Sequence, residues 1–283
     1  GRAFGADVSL SDDADRVAVS AHLGDSHLVF RYDYVSLGWI KLGGDIVLTD
    51  KVELEDVDEA NKAGAAVLSG GGNMVAVGYP YRNGDEMERT GEVRVYEYSA
   101  GSWTQIGDPI YGPTPKSYLG RKDTVSLSED GATLAIGDFR FNNRSGRVQV
   151  FKLVSGRWKR MGDDISGDEI GGQFGSSVSL NGDGTVLAAG AAYHSANSGR
   201  ARVLRFVHDG SGDDGTSGNW VQKGGVIGGG PGYCFFGWPL SLSRDSDRIA
   251  VSGTSFLGKD VDCDSSDLTA DVGEVRVFEY DAM

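Results

Sequence analysis

Four short runs decide the fold: Phe174-Gly-Ser-Ser-Val178-Ser-Leu180, Val186-Leu-Ala-Ala-Gly190, Arg200-Ala-Arg-Val203-Leu-Arg-Phe206 and Trp220-Val-Gln-Lys-Gly224-Gly-Val-Ile227. Turn residues such as Asp183-Gly184 divide them, and no helical period lies between them. Short apolar or alternating runs bounded by Gly, Asn and Asp are strand signals. The unit also recurs. Gly5, Gly64, Gly120, Gly175 and Gly237 each open a copy, at steps of 59, 56, 55 and 62 residues, a period that marks a repeat architecture.

Each copy has the same order. A serine-bearing apolar run comes first, as in Val125-Ser-Leu127 and Leu240-Ser-Leu242. A small apolar run follows (Met74-Val-Ala-Val77, Leu134-Ala-Ile136), then an alternating run (Glu92-Val-Arg-Val-Tyr96, Glu274-Val-Arg-Val-Phe278). The fourth is Trp-x-x-x-Gly-x-x-Ile, at Trp39, Trp103, Trp158 and Trp220. The fifth copy ends at Met283 without it.

The expectation is an all-β chain: a β-propeller of about five four-stranded antiparallel blades, 1–48, 49–112, 113–167, 168–229 and 230–283, the last lacking its outer strand. One such sheet cannot bury both its faces, so the blades are expected to form a single domain. First strands crowd an axis, where serines fit. Second strands lie between neighbours and are apolar on both faces. The tryptophans wedge between outer strands. A closed five-bladed ring is the favoured form, an open arc of a larger ring another, and a β-solenoid the rival fold.

The net charge of −14 disfavours nucleic acid and anionic membranes, which call for Lys/Arg surfaces. No run approaches the length of a membrane span. The chain opens at Gly1 rather than Met, which suits a processed terminus or the interior of a longer precursor. Its two cysteines, Cys234 and Cys263, flank the first two strands of the last copy. An up-down sheet brings those positions to one side, so a disulfide is expected, and with it an extracellular or other oxidising compartment. Two unpaired thiols are the alternative.

These residues resemble FG-GAP repeats, the blades of integrin-α-like propellers. Phe4-Gly5, Phe174-Gly175 and Phe236-Gly237 match the Phe-Gly element, and Val77-Gly-Tyr-Pro80 and Ala189-Gly-Ala191 the Gly-Ala-Pro element. The resemblance is closest to the degenerate branch found in secreted and surface proteins. The family's calcium loops do not carry over. The corresponding turns here, such as Ser69-Gly-Gly-Gly-Asn73 and Ser128-Glu-Asp-Gly131, offer too few oxygens for a cation that takes six to eight.

Asp260, Asp262, Asp264 and Asp267 alternate through one loop. They are the candidate ligands for one Ca2+, against the reading of a solvated acidic loop; no other cofactor is expected. The acidic connector 49–62 reads as solvated. Asn143-Arg-Ser145 is a glycosylation sequon, meaningful in a eukaryotic secretory pathway. Loops after the second strands carry His22, Tyr79, Tyr81, Phe139, Phe141, Tyr193, His194 and Phe256. Aromatics so gathered stack on sugars or anchor a protein; the alternative is packing between blades.

The four histidines show no metal spacing, and nucleophile-elbow and phosphate-loop motifs are absent. No catalytic residue is assigned. The expected function is a non-catalytic module binding a protein or glycan partner. A glycan-binding lectin and a glycosidase with an axial carboxylate pair stand as alternatives.

Overall fold

A computed structural model describes residues 4–21, 26–48, 64–83, 87–230, 233–253, 255–256 and 273–279. The protein is an all-β propeller of five blades, each a small antiparallel sheet. In the first blade Phe4–Leu10, Arg16–Ala21, Ser26–Asp33 and Gly38–Lys41 are adjacent in chain order. The second comprises Ala66–Leu68, Met74–Tyr79, Glu92–Ser99 and Ser102–Tyr111. Val125–Leu127, Thr133–Asp138, Arg147–Val154 and Arg157–Arg160 make the third, and Phe174–Leu180, Val186–Ala191, Arg200–His208 and Gly218–Gln222 the fourth. The fifth has three strands among the described residues, Leu240–Leu242, Arg248–Gly253 and Glu274–Glu279, with a separate ladder between Tyr233–Cys234 and Ser255–Phe256.

The chain divides into two compact units, Gly1–Thr133 with Leu153–Trp158, and Leu134–Lys152 with Lys159–Met283. The one helical segment among the described residues, Phe141–Arg144, is left-handed at Asn142 and Asn143.

The Trp-x-x-x-Gly-x-x-Ile run differs from the expectation of one strand. In the first, third and fourth blades it breaks, and Ile46–Val47, Ile165–Ser166 and Ile227–Gly228 pair again with the third strand. The cause is the glycine: Gly43, Gly162 and Gly224 hold φ of 75°, 72° and 71°, a left-handed conformation that interrupts a ladder. In the second blade the strand runs on through Gly107 with a register shift opposite Val93–Val95.

The same glycine receives the next blade's tryptophan. In the first unit Trp103 Nε1 donates to the Leu42 carbonyl at 2.8 Å and Trp158 Nε1 to the Ile106 carbonyl at 3.2 Å. In the second unit Trp220 Nε1 donates to the Met161 carbonyl at 2.8 Å. A Cβ on Gly43, Gly107 or Gly162 would stand 3.0, 2.6 or 3.2 Å from the indole Cδ1. The tryptophans do lodge between blades, half-buried, each fixed by one hydrogen bond and an absent side chain.

A second glycine column sets the inner spacing. Gly78 lies against Gly120 in the first unit; Gly137 against Gly175 and Gly190 against Gly237 lie in the second. A Cβ on Gly78, Gly137 or Gly190 would stand 2.6, 2.8 or 2.9 Å from the facing carbonyl carbon. Second strands can therefore sit against the next first strand backbone to backbone. Serine hydroxyls complete the contact, with Leu68 N–H donating to Ser9 Oγ at 3.0 Å and Leu242 N–H to Ser179 Oγ at 3.0 Å.

Apolar cores fill these junctions. Ala18, Val29, Leu42 and Ile46 of the first blade meet Leu68, Val75 and Val77 of the second. In the second unit Val148, Val150 and Met161 meet Val178, Leu180 and Leu187, while Ala188, Ala201 and Val203 meet Leu240, Leu242 and Ile249. The second strands of the middle three blades are buried at every residue, as strands covered on both faces must be.

Candidate functional site

Loops between second and third strands are built on left-handed residues other than glycine. In the second unit Asn142, Asn143 and Arg144 have φ of 46°, 54° and 63°, and Ser195, Ala196 and Asn197 follow at 54°, 51° and 68°. The residue two before each next opening glycine is left-handed as well, Gln173 at 56° and Phe235 at 56°. These residues hook together through backbone. Gln173 N–H donates to the Arg144 carbonyl at 2.8 Å, and Phe235 N–H to the Asn197 carbonyl at 2.7 Å. The first unit repeats the hook, with Arg89 at φ 53° and Tyr118 at 53°, joined at 3.1 Å. Such conformations cost energy for residues with a Cβ and persist where surrounding bonds impose them.

On this frame the second unit carries a mixed aromatic and charged cluster. The Tyr193 ring meets Phe235 edge-on, centroids 5.0 Å apart, and is 41% exposed. Glu169 accepts the Ser195 N–H at 3.1 Å and lies 3.0 Å from His194 Nε2. Asp168 pairs with Arg200 and stands 3.8 Å from His194 Nε2. Against the cost of partial burial, the Arg200 guanidinium holds Asp168 below the usual carboxylate range. The first unit has a matching aromatic pair, Tyr81 and Tyr118 at 5.4 Å, but there Tyr81 is buried.

Tyr79 and Phe139 are buried with Tyr81, and Tyr79 belongs to the core shared by the first two blades. Phe141 is half-buried under the Arg147 guanidinium, 3.9 Å from its centroid. Asn143 is exposed on its loop. Cys234 is buried and is not a free thiol. His22, Cys263, the connector 49–62, and Asp260, Asp262, Asp264 and Asp267 lie outside the described residues, as does the side chain of Phe256. Among the described residues no group of three His, Cys, Asp or Glu side chains could hold a metal ion, and no helix is long and apolar enough to cross a membrane. The sequence did not single out Phe235, Asp168, Glu169 or Arg200. Phe235 stands beside the Phe236-Gly237 opening, and Arg200 opens its third strand as Arg147 opens the one before. Those column positions were the available signal.

Two further titratable groups of the first unit, His27 and Asp7, stand apart from this cluster. His27 is fully buried and neither ring nitrogen completes a hydrogen bond; the hydroxyl of Ser20, its cross-strand partner, is equally unsatisfied. The ring meets Tyr79 edge-on at 5.1 Å. Burial pushes His27 down to about 3, offset in part by the Gly78 backbone. Half-buried Asp7 accepts the Ala66 N–H at 2.9 Å. Burial pushes its carboxyl up to about 6; the Ala66 hydrogen bond opposes the shift and the Asp123 charge adds to it.

No protein-family model matches this chain, and no curated protein matches it. Solved structures do. Hydrazine synthase of Kuenenia stuttgartiensis superposes with a TM-score of 0.58 at 15% identity, over 96% of this chain and 62% of that one. A functionally unknown protein from Desulfotomaculum acetoxidans DSM 771 gives 0.52 at 12%, over 89% and 63%. The β-propeller domain of the Trilobed protease from Pyrococcus furiosus gives 0.49 at 10%, over 99% and 70%. This chain spans less than two thirds of the length of the first two. At such identities the likeness to hydrazine synthase and to the Desulfotomaculum protein is one of fold.

Proposed function

We propose that the chain is a non-catalytic propeller module, a degenerate relative of the FG-GAP repeat proteins, that binds a protein partner through the loop cluster of its second unit. The observation carrying this reading is the exposed Tyr193 ring, backed edge-on by Phe235 and rimmed by Asp168, Glu169, His194 and Arg200. A rigid aromatic anchor beside charges is the composition of binding hot spots. The backbone hooks hold the loop while its side chains differ from blade to blade, as a display surface requires.

The buried, bonded state of Cys234 supports pairing with Cys263 and an extracellular or other oxidising compartment. One Ca2+ at residues 260–267 remains part of this reading, on the sequence alone.

The test is affinity capture with the purified chain as bait, followed by binding measurements on the captured protein. Tyr193→Ala and Glu169→Gln should each weaken binding at least tenfold with the fold intact by circular dichroism. Unchanged affinity in both variants would refute the site. One observation favours a second reading: an exposed tyrosine beside two carboxylates also suits a sugar ring. Saturable binding on a glycan array, lost in Tyr193→Ala, would select the lectin instead.

A further inference from the structure

We infer that the junction between the first two blades is a binding site for an internal water molecule, held by Ser20 and His27 against Tyr79. This inference makes no use of the loop cluster.

The first blade departs from the inner glycine column. In the second and fourth blades a glycine of the second strand faces an apolar residue of the third, Gly78 opposite Val93 and Gly190 opposite Ala201. The first blade has Ser20 opposite His27 at these positions. The alanines two residues earlier, Ala18, Ala76 and Ala188, fix the alignment. Directly opposed residues share one face of a sheet, so hydroxyl and imidazole project together. The Tyr79 ring of the second blade meets the imidazole edge-on at 5.1 Å.

All three side chains are out of reach of bulk solvent, Ser20 and His27 at 0% exposure and Tyr79 at 3%. Ser20 Oγ, both ring nitrogens of His27 and Tyr79 Oη complete no hydrogen bond among the described residues. Unpaired polar atoms are costly to bury, and ordered water answers them where protein groups do not. The backbone differs here as well. Gly120 and Gly237 are left-handed, and a Cβ on either would stand 2.8 or 3.4 Å from the Cα of Gly78 or Gly190. Gly64, their counterpart, is not left-handed, and the atoms nearest its Cβ belong to Gly78 and Pro80 of its own blade. Gly64 therefore does not repeat the backbone contact that closes the other two junctions.

Charge state names the ligand. Burial, offset in part by the Gly78 backbone, keeps His27 neutral. Burial, with Tyr96 beside it, pushes the Tyr79 hydroxyl well above its ordinary value and keeps it protonated. Neutral groups that both donate and accept suit a small neutral molecule that does the same, and a metal ion would require deprotonated ligands. The two imidazole nitrogens point to opposite sides of the ring, so one water reaches one of them, and burying this histidine stays costly.

The test pairs a high-resolution crystal structure with oxygen-17 magnetic relaxation dispersion, which counts long-lived internal waters in solution. The wild-type crystal should show a density peak about 2.7–3.2 Å from both Ser20 Oγ and a His27 nitrogen. Ser20→Gly combined with His27→Val copies Gly78 and Val93. It should lose about one long-lived water with circular dichroism unchanged. A wild-type junction with no such peak, or identical relaxation in the folded variant, would each overturn the inference. If the variant loses its fold, the wild-type density decides alone.

Discussion

Asp7-Val-Ser-Leu10 and Ser177-Val-Ser-Leu180 are nearly the same tetrapeptide, on first strands with the same pairing. Val178 and Leu180 are buried at 6% and 7% exposure, while Val8 and Leu10 keep more than half their surface. Nothing in the strand distinguishes them. Val148 and Val150 of the third blade pack with Val178 and Leu180. In a repeat protein burial belongs to the junction, and the same residues are core or surface according to their neighbour.

The contrast can be broken most severely at the inner glycines. Gly78→Ala places a methyl group into the Gly120 backbone, where nothing can yield. A loss of about 4 kcal/mol or more is expected, seen as a collapsed denaturant midpoint. A milder cut separates the two tetrapeptides. Leu180→Ala should lower stability by about 3 kcal/mol, and Leu10→Ala by less than about 1, in monomeric protein. Equal losses would contradict the junction account. At the outer edge, Trp158→Ala removes a half-buried indole and its bond to Ile106, costing about 2 kcal/mol, against under about 1 for Trp39→Ala.

His27 sharpens the comparison from inside one junction, because Val93, Val148 and Ala201 occupy its position in the next three blades. Its folded pKa lies below the ordinary 6.5. The unfolded chain therefore takes up the proton first. His27's contribution is intact above about pH 6.5 and erodes as pH falls towards 3. His27→Val should add about 1–2 kcal/mol at neutral pH and flatten the decline in thermal midpoint between pH 6.5 and 4. A variant as acid-sensitive as wild type would refute this. The smallest effect belongs to Asp7, whose counterpart is Ser177. Its folded pKa is raised, so its contribution is present below 3.8 and lost as pH climbs through about 6. Asp7→Asn should stabilise by about 1 kcal/mol at pH 7–8, half-exposure limiting the gain, and change little near pH 4.

Much of this architecture was legible in the residues. The glycine period set the blades, and the apolar second runs gave strands buried on both faces. The Trp-x-x-x-Gly spacing implied wedged tryptophans. It did not reveal that the glycine lies beneath the next blade's indole rather than its own, because that contact spans 52 to 61 residues. The loop site was less legible for a physical reason. Tyr118, Gln173 and Phe235 are left-handed without glycine, held by carbonyls a loop away, so no local propensity announced them. Of the aromatic candidates, Tyr193 and the buried Tyr81 hold the same loop position; their surroundings, not their type, separate them.

The hooks joining Arg89 to Tyr118, Arg144 to Gln173 and Asn197 to Phe235 run from amide to carbonyl, so they place few demands on side-chain identity. Arg, Asn, Tyr, Gln and Phe already share the two roles. Side chains at these tips can drift, residue by residue, while the skeleton beneath stays fixed, and a library randomised at 195–197 should yield many folded members.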